Sequence, residues 1–280
     1  MHSVSTRHKI AAAAAILLLC AALALPGCGS SKPASSAPSS APASTAPSSS
    51  GSNAHFKFIV CGDPQNDYEV FDSVLAAARS VDFLIIAGDL TGSGTSIEFQ
   101  NFVNKMKASG VKYYTVPGNH DVATTPVTQN YATYCGAPHQ SFDFMNTHFV
   151  LIDNSAPSLG FYPAERQWVA ADLKAAKAGN FEHTIAVAHV PPRWPYSATA
   201  SKDQIAGIDA NDQLAPVLSA GGAQELFCGH VHTYQQDKED GLLITITGGA
   251  GAPLLGANSY HNYVLVEVNG RRMDQNVVRI

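Results

Sequence analysis

Five apolar runs of strand length end in the same way. Phe56–Cys61 breaks into Gly62-Asp63-Pro64-Gln65 and Phe83–Ala87 into Gly88-Asp89. Val111–Val116 breaks into Pro117-Gly118-Asn119-His120-Asp121, Thr184–Ala188 into His189, and Glu225–Cys228 into Gly229-His230-Val231-His232. Each run is followed, one to three residues on, by a carboxylate, an amide or an imidazole. Segments between the runs carry apolar residues at helical spacing: Val70–Arg79 (Phe71, Val74, Leu75, Ala78), Ser96–Ser109 (Phe99, Phe102, Val103, Met106), Glu165–Ala178 and a short Asn211–Ser219. Alternating strands and helices predict an α/β domain with mixed sheets. In such sheets ligands bind beyond the carboxyl ends of the strands, so parallel neighbours would bring all five polar positions to one edge.

The rest of the chain fits around that edge. Gln140–Met145 and Thr147–Asp153 read as a strand pair about Asn146, and Tyr260–Val268 and Met273–Val278 as another, joined by an Asn269-Gly270 turn. Residues 122–138 and 190–205 read as loops, the second because Pro191-Pro192-Arg193-Trp194-Pro195 forbids regular structure. Leu242–Thr247 runs into Gly248-Gly249-Ala250-Gly251, which lacks the Lys-Ser/Thr of a phosphate-binding loop and reads as a tight return under the site.

Residues 1–28 are set apart. Arg7 and Lys9 precede the apolar stretch Ile10–Leu25, and Leu25-Pro26-Gly27-Cys28 follows. That reads as a secretory signal, too short for a spanning helix; its small residue before Cys28 resembles a lipobox, which would leave Cys28 as the lipid-bearing residue on the extracytoplasmic side of a bacterial cell membrane or outer membrane, with an ordinary signal peptide and a chance Cys as the alternative. Residues 29–54 are mostly Ser, Ala, Pro and Gly and cannot bury a core, so they read as a flexible tether. One domain, 55–280, remains. Two of the 17 basic residues lie in 1–28, leaving 15 against 22 acids and a formal charge of −7. Such a surface is a poor long-range attractor for nucleic acid. Beyond Cys20 and Cys28 only Cys61, Cys135 and Cys228 are left, which argues for buried thiols, with a single Cys61–Cys228 bridge as the alternative.

The chemistry follows from the residue types. Asp63, Gln65, Asp89, Asn119, His189, His230 and His232 offer carboxylate, amide-oxygen and imidazole donors, a mix suited to Zn, Mn, Fe or Mg and not to a thiolate site. Seven ligands exceed one ordinary site, so two divalent ions are expected, with one carboxylate shared. Paired ions about 3.5–4 Å apart hold a hydroxide and clamp both the attacking and the leaving oxygen. Two such ions against two carboxylates and a hydroxide leave a net positive pocket, which draws in a phosphate ester despite the acidic surface. His120 is the motif histidine left over for proton transfer, with Asp121 behind it to orient the ring. Arg193, from a loop bordering the pocket, could grip a phosphate, and Tyr234 could line the same pocket.

The ordered set Asp63-Pro64-Gln65, Gly88-Asp89, Gly118-Asn119-His120-Asp121, His189, Gly229-His230-Val231-His232 resembles the calcineurin-like metallophosphoesterase family over residues 56 to about 255. The resemblance implies a four-layer αββα sandwich and hydrolysis of phosphoric mono- or diesters. By position it implies Asp63, Gln65 and His232 on a first ion, Asn119, His189 and His230 on a second, and Asp89 between them. His120 falls where the family keeps its proton donor. Gln65 stands where the family usually has His, which implies a softened first site. His55, His139, His148, His183 and His261 match no motif position and read as packing or surface residues. A metallo-β-lactamase reading fails, because it needs an early His-x-His-x-Asp and the one His-x-His is at 230–232. A metal-bearing binding lipoprotein of the same fold is the non-catalytic alternative. No obligate protein partner is evident.

Overall fold

A computed structural model describes residues 54–123, 129–156, 160–192 and 209–280. Cys28 and Arg193 lie outside the described residues. Two mixed sheets form the frame. The first contains β1 (His55–Cys61), β2 (Phe83–Ala87), β3 (Tyr113–Val116), β10 (Asn262–Asn269) and β11 (Arg272–Arg279), in the order β11-β10-β1-β2-β3. The second contains β4 (Gln140–Phe144), β5 (Thr147–Leu151), β6 (His183–Val187), β7 (Glu225–Cys228), β8 (Tyr234–Glu239) and β9 (Leu242–Thr247), in the order β4-β5-β6-β7-β9-β8. β1, β2 and β3 are parallel neighbours, as are β5, β6, β7 and β9. Their carboxyl ends therefore line up within each sheet.

Three apolar clusters show how the layers stack. Phe56, Phe58, Phe83, Phe149 and Phe227 meet between the two sheets, every one of them almost wholly buried. Phe58 touches all four of the others through stacked or edge-on rings. Burying a side chain of that size stabilises the fold by about 1.5–3 kcal/mol. On the outer face of the first sheet, Ile59, Leu84 and Ile86 pack on α1 (Tyr68–Ala78), α2 (Ser96–Ser109) and α3 (Gln129–Cys135). On the outer face of the second, Leu226, Ile244 and Ile246 pack on α4 (Pro163–Ala178) and α5 (Leu214–Gly221). The order is helix, sheet, sheet, helix, and the expected αββα sandwich is what the chain adopts.

Local chemistry sets the ends of α2. Thr95 accepts from the Glu98 amide while Glu98 accepts from Thr95 N, a reciprocal capping box, and Gly110 takes a left-handed φ of +69° past the last turn. Two elements depart from the sequence expectation. The 122–138 loop contains α3, a polar helix that buries only Tyr131 and so shows no apolar stripe. β8 (Tyr-Gln-Gln-Asp-Lys-Glu) is a polar edge strand held by its ladder to β9, with no hydrophobic alternation to betray it. The last hairpin turns on Gly270-Arg271, one residue later than expected, because Asn269 still pairs with Arg272 and Gly270 takes φ +57°. Cys61 and Cys228 are buried free thiols, not a bridge.

Candidate metal centre

The site forms where the carboxyl ends of β1, β2, β3, β6 and β7 meet. Asp63, Asp89 and His230 all adopt left-handed backbone, at φ +63°, +53° and +67°. Three non-glycine residues in that uncommon region at one edge are the kind of backbone found at functional sites. The glycines beside them are there for close approach. A Cβ on Gly118 would overlap the Asp89 carboxylate, and one on Gly88 would overlap the His189 ring.

The carboxylates are buried and held by main-chain donors. His230 N donates to both Asp63 oxygens, at 3.1 and 2.9 Å, and His120 N donates to Asp89 Oδ1 at 2.9 Å. Two imidazoles are fixed from behind. His189 Nδ1 donates to the Ala87 carbonyl at 2.8 Å, and His232 Nδ1 to the Pro253 carbonyl at 2.8 Å. A carbonyl can only accept, so in the neutral rings both Nε2 atoms carry lone pairs. His189 Nε2 then faces Asp89 Oδ1 at 3.3 Å and Asn119 Oδ1 at 3.0 Å, and His232 Nε2 faces Asp63 Oδ1 at 3.4 Å. His230 Nδ1 lies 2.8 Å from the same Asn119 oxygen.

Lone pairs and oxygens that converge in a buried place call for cations. Burial pulls the His189 ring down, yet the Asp89 and Asp63 charges outweigh it and leave it raised. For His232, the Asp63 carboxylate likewise overcomes burial and lifts the ring to about 9. Burial raises Asp63, while at Asp89 the charges of His189, His120 and His230 overcome burial and lower it. The protons this arrangement attracts occupy the positions that divalent ions would fill. Asp63, Asp89 and His232 in particular bring ligand atoms within 4.8 Å of one another. The residues therefore fit a metal site in donor type, burial and aim.

Other expected residues resolve differently. Gln65 points its amide NH2 at Asp89 Oδ2, 3.0 Å away, so it serves the site as a donor in this arrangement. His120 is 41% exposed at its side chain, open enough to meet a substrate, and its Nε2 lies 4.0 Å from Asp89 Oδ2. Its Nδ1 donates to the Gly92 carbonyl at 2.7 Å. Asp121 is thus not the orienting partner of His120. Its buried carboxylate instead accepts from the amides of Gly118, Leu90 and Thr91 and from the Thr91 hydroxyl, tying the Gly-Asp loop to the Gly-Asn-His turn. Burial and the charge of Asp89 push that carboxyl up to about 7. Tyr234 packs its ring against the core between the sheets, and among the described residues no hydrogen bond or ring contact joins it to a site residue. The glycine run after β9 does pass under the site: Ala252 N donates to Asp63 O at 2.8 Å.

The Gly92, Ala87 and Pro253 carbonyls were illegible in sequence, because any residue supplies one. Asn154 was legible and missed. It lies three residues beyond β5, where the strand-end rule points, and its amide contacts the His189 and Val190 main chain.

The calcineurin-like phosphoesterase family model matches residues 56–234. The chain belongs to this family. Among curated relatives, purple acid phosphatase 21 of Arabidopsis thaliana is 24% identical over 65% of the chain, and a 3′,5′-cyclic-nucleotide phosphodiesterase of Nostoc sp. is 26% identical over 54%. The aligned parts span 45% and 56% of those relatives. A purple acid phosphatase from yellow lupin (Lupinus luteus) seeds shares the fold, with a TM-score of 0.65 at 16% identity over 85% of this chain and 53% of its own. So does the anchor in the inner membrane complex of Plasmodium, with a TM-score of 0.59 at 13% identity over 80% of this chain and 84% of its own.

Proposed function

We propose that the chain hydrolyses phosphoric esters at two divalent ions seated on the strand-end edge. Asp63 and His232 would hold one ion and Asn119, His189 and His230 the other, with Asp89 available to both. Gln65 would join the first if its amide turned half a turn, so that the carbonyl replaced the NH2. When bound, the ions supply charge neutralisation for the phosphate and an acidified water. Water adds to phosphorus and gives up a proton to solvent, the ester P–O bond breaks, and the leaving oxygen takes a proton from Nε2 of the His120 imidazolium, which solvent then reprotonates. The Gly92 carbonyl keeps Nδ1 protonated and so turns Nε2 outward for that transfer. Asp121 acts one step behind, fixing the two loops that carry Asp89 and His120.

The observation that carries this reading is the convergence of the His189 and His232 Nε2 atoms, both anchored through Nδ1, on buried carboxylate and amide oxygens. Turnover of p-nitrophenyl phosphate and bis(p-nitrophenyl) phosphate, with and without Mn2+ or Zn2+, tests it and separates monoesterase from diesterase. Hydrolysis of at least one, abolished by chelator, is expected. If metal-loaded protein hydrolyses neither, the non-catalytic binding module is the better reading. Residues 1–28 support an extracytoplasmic, lipid-anchored location. Cys28→Ser is expected to abolish fatty-acid labelling of the expressed chain, and undiminished labelling would rule out that anchor.

A further inference from the structure

We infer that Asn154 is a positioning residue that sets the second metal ligand set and couples it to the base of the segment following β6. This rests on the dinuclear reading above. Asn154 is 1% exposed, and its amide is fully used. Oδ1 accepts from His189 N at 3.0 Å and from Val190 N at 3.1 Å. Nδ2 donates to Val190 O at 2.7 Å and to Asn211 Oδ1 at 2.9 Å.

The position explains the need. β5 and β6 are parallel neighbours, and backbone pairing between their chains reaches Ile152 N–Val187 O at 2.8 Å. Beyond that point the Asn154 side chain continues the pairing, bonding the His189 and Val190 main chain. His189 is then held at two points: its main chain by Asn154 and its ring by the Ala87 carbonyl. Together they fix where Nε2 points. The same amide grips the chain at Val190, where it leaves β6, and at Asn211, where it returns before α5. Phe161 N reinforces that return by donating to Ala210 O at 3.2 Å. No other side-chain type of this size offers two donors and an acceptor with two lone pairs, so neither Asp nor Leu can replace all four bonds.

The test is calorimetric titration of the metal-free 280-residue chain with Mn2+, with thermal melting run alongside. Loss of a partner that orients a ligand costs about 10–100-fold in metal affinity. Asn154→Ala is expected to weaken one of the two binding events by that factor and leave the other near the parent's. Asn146→Ala is the matched control. Asn146 is also a buried amide, bonded to Glu182 Oε2 at 2.6 Å and Gly270 O at 2.9 Å, but it sits in the β4–β5 turn at the far end of β5. It should lower the melting temperature without moving either affinity. Asn154→Asp keeps the acceptor for the His189 and Val190 amides, so both affinities should stay close to the parent's even if Asn154→Ala fails to fold. Unchanged metal binding in Asn154→Ala, equal weakening in Asn146→Ala, or a loss of about tenfold or more in Asn154→Asp would overturn the inference. A parent chain that takes up no second ion would instead remove the dinuclear reading, and this inference with it.

Discussion

Two places in this molecule bury carboxylates, and they solve the problem in opposite ways. At the strand-end edge, Asp63 and Asp89 face imidazoles and an amide oxygen, and main-chain donors hold them for charge. Between the sheets, Glu225 is wholly buried at the start of β7 with only neutral neighbours. Thr245 Oγ1 lies 2.9 Å from Oε1, with Gln275 and Gln236 beyond it, and among the described residues Oε2 has no hydrogen-bond partner. Burial pushes this carboxyl up to about 8. The first place holds charge and fits cations, whereas the second tolerates a carboxyl by keeping its proton. Burial alone does not make a site; converging lone pairs from independently anchored rings do.

The largest expected effect comes from breaking the first place. Removing one aimed electrostatic group typically costs roughly 10²–10³ in kcat, and a carboxylate shared by two ions should exceed that. Asp89→Asn is therefore expected to lose metal and nearly all turnover, measurable by elemental analysis beside a steady-state assay. Next is His120→Ala, which should cut turnover by roughly 10²–10⁴ while keeping both metals. Loss of both metals in that variant would show that His120 is a ligand and not the proton donor. Asp121→Ala should act through stability. It strips a carboxylate from three amides and a hydroxyl, a cost of about 3 kcal/mol seen as a lowered urea midpoint.

The smallest effect on turnover concerns the second place, where the change is in stability and runs with pH. The folded-state value of Glu225 lies above the 4.5 of the unfolded chain, so its contribution is fully present below pH 4.5. It is lost as pH rises toward about 8, because the unfolded chain ionises first. Glu225→Gln removes that dependence. The variant should gain about 3–4 kcal/mol over the parent between pH 5 and pH 8, read from urea unfolding at both values. Equal stability differences at both would mean that Glu225 ionises freely in the fold.

The same contrast explains what the sequence could reveal. The strand-end groups were legible because each closes an apolar run with a polar residue, a pattern that packing does not require. The central strands and α1, α2 and α4 were legible because they bury one face or two. α3 and β8 were not, since one buries a single tyrosine and the other is a polar edge. Asp121 was misread because a carboxylate next to a histidine suggests a pair, whereas its bonds run to backbone amides. Glu225 was passed over as part of a strand, because sequence shows neither which face a residue occupies nor whether its second oxygen finds a donor.

The central claim is that the strand-end edge, and not the buried carboxyl between the sheets, holds the metals. Elemental analysis by mass spectrometry, after saturation with Mn2+ or Zn2+ and desalting, tests it directly on the parent, Glu225→Gln and Asp89→Asn. Two ions per chain are predicted in the first two proteins and a clear loss in the third. One ion or none in the parent, or full occupancy in Asp89→Asn, would contradict it.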